Sequence, residues 1–156
     1  MAILSGKRGL IVGVANERSA AWGIAKKASD LGAELAFTYQ IPAFEKRIAP
    51  LAESVKSDIM ILCDLSEEAA AKRAMEQLST HWSEVDFVVH AVGFSDKQEL
   101  SGAYYNTSRQ NFRQTMLISA FSFTELAQAS APMMPNGGSL LTLSYLGSVR
   151  TTPNYN

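Results

Sequence analysis

Tyr145 and Tyr155 stand ten residues apart, within Leu141-Thr142-Leu143-Ser144-Tyr145-Leu146-Gly147 and Pro153-Asn154-Tyr155-Asn156. The apolar run before Tyr145 has the composition of a buried strand. A buried phenol at a strand's end can donate a proton or a hydrogen bond to a developing oxyanion. These two side chains are the leading candidates for chemistry, and the other reactive types offer less. His90 has no recognisable carboxylate or nucleophile partner in the sequence, so it reads as a half-buried, hydrogen-bonded residue rather than a catalyst. Cys63 is the single cysteine, which excludes an internal disulfide and a cysteine-cluster metal site. It lies in an apolar run and reads as an inert buried thiol. Glu67 and Glu68 follow Ser66, a pattern that suits a capped first turn of a helix better than acid–base machinery. No metal site is expected.

Tyrosines at a strand's end need a sheet to hold them, and the chain supplies one. Short apolar runs over residues 9–14, 34–39, 58–63, 86–90 and 139–143 alternate with helical spacing over 20–31, 44–55, 66–82 and 109–131. Pro50 weakens the second helix, and Pro132 with Pro135 ends the last. Strands this uniformly apolar, alternating with helices, argue for an α/β fold with a parallel sheet covered on both faces. Right-handed crossovers then predict a doubly wound, Rossmann-type sheet of strand order 3-2-1-4-5, built as a single dinucleotide-binding domain over residues 1–156. The helix over 109–131 is apolar on more than one face through Phe112, Met116, Leu117, Phe121 and Leu126. That breadth favours a core that doubles as a subunit interface.

In such a fold ligands sit beyond the carboxyl ends of the strands, and the candidate motifs fall there. After the first strand, Gly13 would allow a tight turn beside a diphosphate, Ser19 could cap the next helix and offer its hydroxyl to phosphate, and Gly23 would let that helix approach the sheet. The spacing is stretched relative to Gly-x-Gly-x-x-Gly, and an ordinary strand-turn-helix reads equally well. Gln40 follows the second strand, where a side chain can bind the adenosine ribose without charge. No Lys or Arg follows before Lys46, which favours NADH over NADPH; a solvated loop residue is the alternative. Asp64 follows the third strand and could accept from an adenine amino group while the next backbone N–H, that of Leu65, donates to the ring. It could equally start a turn. The small residues 91–93 after the fourth strand would let backbone approach the nicotinamide-side ribose.

Composition narrows the remainder. A net charge of −1 gives no electrostatic case for nucleic acid or an anionic membrane. Hydrophobic residues at 47% and charged residues at 19% suit a soluble globular chain. The first ten residues hold no long apolar run with a cleavage site, so neither a signal peptide nor a membrane span is expected, and the cytoplasm is the expected location.

Together the stretches Leu4–Arg8, Gly13-Val14-Ala15 with Ser19 and Gly23, Gly32–Gln40, Cys63-Asp64, His90–Phe94 and the two tyrosine frames resemble the bacterial NADH-type enoyl-[acyl-carrier-protein] reductases of fatty-acid synthesis, a divergent branch of the short-chain dehydrogenases. The resemblance covers essentially the whole chain. It implies hydride transfer from NADH to the β-carbon of a trans-2-enoyl thioester carried on acyl carrier protein, with the thioester carbonyl becoming an enolate. Tyr155 would hydrogen-bond that oxygen, and Tyr145 would line the pocket and assist. Gly13, Ser19, Ala20, Gln40, Asp64, Leu65 and Val92 would hold the cofactor, and Ser95 falls where the family's backbone meets substrate. A homotetramer is implied as well. The chain departs from the family at Ala20, commonly Ile, and Ala91, commonly Ser. The family's catalytic lysine, on the helix beyond the second tyrosine, has no counterpart here. Nor do the helices and last two strands that follow it. The expectation is therefore the N-terminal portion of such an enzyme, inactive on its own. A non-catalytic dinucleotide-binding fragment is one alternative. A carbonyl-reducing short-chain dehydrogenase is another, although it would pair its tyrosine with a lysine one helical turn on, where Val149 follows Tyr145.

Overall fold

A computed structural model describes residues 2–153 and 155. Five parallel strands, β1 (Arg8–Val12), β2 (Glu34–Tyr39), β3 (Met60–Leu62), β4 (Phe87–His90) and β5 (Ser139–Thr142), form one sheet in the order β3-β2-β1-β4-β5, as the alternation predicts. Period-two alternation divides the core between the two faces. Leu10, Val12, Ala36, Ile61 and Val88 point to one face and meet α3 (Ala70–Ser79) and α5 (Ser122–Ser130) through Met75, Leu78 and Leu126. Ile11, Leu35, Phe37 and Val89 point to the other and meet α1 (Ala20–Asp30) and α2 (Pro42–Ser54) through Trp22, Ala25, Ile48 and Ala52. The central strands are buried on both sides, the condition under which parallel sheets occur.

Element boundaries differ from the sequence reading where side chains intervene. Helix α2 starts earlier, with Pro42 at its first position, and runs through Pro50 to Ser54. Proline inside a helix costs about 3 kcal/mol; burial of Ile48 and Ala52 against the sheet offsets it. Helix α3 begins at Ala70 rather than Ser66, because Ser66 donates from both its backbone N–H and its hydroxyl to Asp64 Oδ1, at 3.0 and 2.8 Å. The expected cap is thus a turn closed on Asp64, and Glu67 and Glu68 precede the helix. Gly23 faces outward on α1 with nothing near the position of a Cβ, so it does not mediate the close helix–sheet approach expected of it. The long helix over 109–131 is present in three pieces: α4 (Arg109–Met116), a π-helical turn Leu117–Phe121, and α5.

Among the described residues β5 pairs with β4 alone and is exposed along its length. No helix among the described residues is long and apolar enough to cross a membrane.

Candidate functional site

A cleft of about 290 Å³ opens at the carboxyl ends of β1 to β4. Gly13, Gln40, Asp64, Leu65 and Val92 all line it, although they come from four separate strand ends. Gly13 has φ +104, and a Cβ there would lie 2.2 Å from the carbonyl oxygen of Ala91. The backbones leaving β1 and β4 therefore approach as closely as only glycine permits. Asp64 takes its three hydrogen bonds on Oδ1, from Ser66 N, Ser66 Oγ and, at 3.4 Å, Gln40 Nε2. Oδ2 is left with no partner among the described residues, as is the backbone N–H of Leu65. A purine edge offers the complementary donor and acceptor. Phe44 adds an aromatic wall, and the Arg47 guanidinium sits 5.0 Å from its ring centroid. Cys63 also borders the cleft, but burial, helped by the neighbouring Asp64 charge, pushes its thiol up to about 11, which leaves little thiolate at neutral pH.

Two expected members stand elsewhere. Ser19 occupies the N-cap position of α1 but makes no side-chain cap; its hydroxyl donates to Asn16 O at 2.7 Å and does not line the cleft. The loop before the helix is closed by its own bonds, with Arg18 N donating to Asn16 Oδ1, and the single hydroxyl proton of Ser19 is used there. Ala20 opens α1 on an exposed face that includes Lys27 and Leu31, not the cleft.

The tyrosines do come together. The rings of Tyr145 and Tyr155 lie 5.5 Å apart between centroids, tilted by 53°. They line a second cleft of about 520 Å³ with Tyr104, Gly147 and Arg150. Both tyrosines are exposed, at 57% and 53%, so the buried setting expected of them is not what the described residues show. Both follow β5, which is itself exposed along its length among the described residues. Ser95 lies in the loop after β4, where Asn111 Nδ2 donates to its Oγ at 3.1 Å. Asn111 Oδ1 also accepts from Asp96 N at 2.8 Å, which ties this loop to α4.

Asn111, Ser119 and Ser122 are functional-looking residues that the sequence reading passed over. Ser119, in the π-helical turn, accepts from Phe94 N at 2.9 Å and donates to Phe94 O at 3.1 Å. Ser122 meets His90 Nε2 at 2.8 Å. The signal for Ser119 and Ser122 was present as hydroxyls within an apolar stretch, whereas Asn111 stands among other polar residues of α4 and has no such signal. His90 is hydrogen-bonded as expected but fully rather than half buried.

Burial holds the His90 imidazole below its ordinary 6.5. On unfolding the group regains the higher value, so the unfolded chain takes up a proton first as pH falls. The stabilisation is complete above about pH 6.5 and is lost on acidification from there towards the lower folded value. Asp86, held below its ordinary 3.8 chiefly by the hydrogen bond from Lys7, loses its contribution only at more acid pH. Urea midpoints should therefore fall between about pH 7.5 and pH 5.5, and His90→Gln should flatten that slope. A pH-independent midpoint across this window in the parent chain would contradict the assignment.

Among known proteins, the family described as enoyl-(acyl carrier protein) reductase matches residues 13–156. The chain is 53% identical over 154 residues to the enoyl-[acyl-carrier-protein] reductase [NADH] 2 of Rhizobium meliloti, covering 99% of this chain and 58% of that protein. The crystal structure of FabI from Candidatus Liberibacter asiaticus superposes with TM-score 0.97 at 54% identity, over 100% of this chain and 60% of that one. The reductase of Anaplasma phagocytophilum, crystallised in complex with NAD, superposes with TM-score 0.93 at 49% identity, over 96% and 58% of the respective chains. The chain thus spans about three-fifths of the relatives it matches.

Proposed function

The chain belongs to the enoyl-(acyl carrier protein) reductase family, and from that premise we propose that the whole protein reduces trans-2-enoyl thioesters on acyl carrier protein at the expense of NADH. The observation that carries this reading is the cleft at the sheet's carboxyl edge, where Gly13, Gln40, Asp64, Leu65 and Val92 converge. Bound there, NADH supplies the hydride that the β-carbon receives. Asp64 Oδ2 and the Leu65 N–H bind and orient the adenine, Gln40 the adenosine ribose, and the glycine at 13 gives the diphosphate room against backbone. NADH is preferred to NADPH because Gln40 brings no charge to a 2′-phosphate. In the sequence reading Ser19 and Ala20, at the start of α1 beside the cleft-lining Gly13, Val14 and Ala15, also belong to this site.

The tyrosine cleft takes the thioester. As hydride arrives at the β-carbon, negative charge moves to the carbonyl oxygen. Tyr155 donates a hydrogen bond to that enolate, and Tyr145, ring against ring with it, lines the pocket and assists. Ser95 supplies backbone to the acyl group, on a loop held by Asn111. The exposed strip Phe112, Met116, Leu117 and Phe121 is the contact through which copies assemble into a homotetramer. A cytoplasmic location accords with the composition.

Titration of the whole protein with NADH and NADPH, followed by NADH consumption with crotonyl thioester, tests the reading. No thioester-dependent NADH oxidation by protein that binds NADH would reduce the proposal to a dinucleotide-binding module. Asp64→Ala removes the purine acceptor and should raise the dissociation constant for NADH roughly tenfold, about the worth of a hydrogen bond to a charged group. Unchanged affinity would remove Asp64 from the cofactor site.

A further inference from the structure

His90 sits at the end of β4, buried to 0% exposure, with its ring 5.6 Å from that of Phe123. Nε2 lies 2.8 Å from Ser122 Oγ on α5, and Nδ1 lies 2.9 Å from Thr142 Oγ1 on β5. Counting protons assigns the direction of each bond. Ser122 Oγ stands 2.6 Å from the carbonyl oxygen of Ile118, which can only accept, so the one hydroxyl proton of Ser122 is used there. Ser122 must then accept from His90, which places the ring proton on Nε2. The neutral ring has a bare Nδ1, and the Thr142 hydroxyl donates to it. The chain of bonds runs from Thr142 through His90 and Ser122 to the Ile118 carbonyl without a reversal.

We propose that His90 is a positioning residue which, as the neutral Nε2–H tautomer, clamps the carboxyl end of β5, and with it Tyr145, against the cleft-lining loop that follows β4. Its backbone joins in, because His90 O accepts from Leu143 N at 3.1 Å, two residues before Tyr145. On the other side, one helical segment holds both ends of the loop: Ser122 at residue 90 and Ser119 at Phe94. The π-helical turn contains Ser119 and ends immediately before Ser122, and such turns recur where a helix must re-aim side chains at a site. His90 touches neither cleft's reacting position, so its effect passes through Tyr145. Sub-ångström placement of such a group is worth orders of magnitude in rate. The kinetic consequence rests on the reductase reading above; the tautomer and the clamp do not.

Imidazole-¹⁵N-labelled whole protein, studied by NMR at about pH 7 without ligand, should show His90 protonated at Nε2 and bare at Nδ1. His81 is the only other histidine, and His81→Gln assigns the two signals. A proton on Nδ1, or on both nitrogens, overturns the proposal. Thr142→Val keeps the side chain's shape and removes the donor; hydrogen exchange of the Leu143 amide should quicken several-fold, and unchanged exchange overturns the clamp. In turnover, Thr142→Val should lower kcat about tenfold with KM for NADH within about twofold, and Thr142→Ser should restore kcat. A loss confined to KM for NADH, or none, overturns the positioning role. Wild-type protein that fails to reduce enoyl thioester refutes the reductase reading instead, while the spectrum and the exchange rate still judge the clamp.

Discussion

Gly13→Ala is expected to lose both stability and NADH binding. At φ +104 any side chain carries strain, on the order of 1–3 kcal/mol. The added Cβ would also lie 2.2 Å from Ala91 O and 2.6 Å from Ala91 C. Both are backbone atoms in the segment leaving β4, so no rotamer change relieves the clash. The two strand exits must separate, and they are the walls of the cleft. A total loss of about 3 kcal/mol or more, seen as a thermal midpoint lower by roughly 6–12 °C, follows for a domain of this size. Affinity for NADH should fall more than tenfold. Gly23→Ala is the control: it lies within α1 with nothing within 4 Å of the new Cβ. That change should be neutral or stabilise by up to about 1 kcal/mol. Native midpoint and native NADH affinity in Gly13→Ala would show that the close approach at Ala91 does not matter.

Tyr155→Phe in the whole protein should lower kcat by about two to three orders of magnitude, the usual effect of removing one oxyanion donor. NADH affinity should stay within about twofold, because in the proposed reaction the phenol would act on the charge that develops at the substrate and not on the cofactor. Folding stability should hardly change, since the ring is 53% exposed and its hydroxyl has no partner among the described residues. Tyr145→Phe should cost less, as an assisting residue. Steady-state kinetics beside NADH titration separate the cases: an equal loss of kcat and cofactor affinity would mean that Tyr155 shapes the site without acting in the reaction.

Much of the candidate cleft is legible in the sequence. The strand ends that carry Gly13, Gln40, Asp64 and Val92 follow from apolar runs broken by small or polar residues, and they line one cleft. Ser19 shows where such reading stops. Its type and position suit a helix cap, and it does stand at the cap, yet its hydroxyl turns back to Asn16 O. Ser66 repeats the lesson: the residue before two acids looks like a cap and instead closes a turn on Asp64. Short hydroxyl side chains choose between nearby backbone partners of similar worth, and loop geometry makes the choice. The phenols were read as buried because an apolar strand delivers them, but burial depends on what packs over a strand, and β5 is exposed along its length among the described residues.

By itself the sequence determined the succession of elements, the strand order and the segments that reach the sheet's carboxyl edge. Periodicity, turn residues and crossover handedness are local or topological properties, and each is written in adjacent residues. Only the tertiary structure decided which polar groups meet. That His90 lies between Thr142 and Ser122, that Asn111 holds Ser95 and Asp96, and that Ser119 grips Phe94 depend on register between β4 and β5 and on a π-helical turn in a helix that looked continuous. Those partners come from segments 15 to 52 residues apart, and a contact of that kind has no local signature.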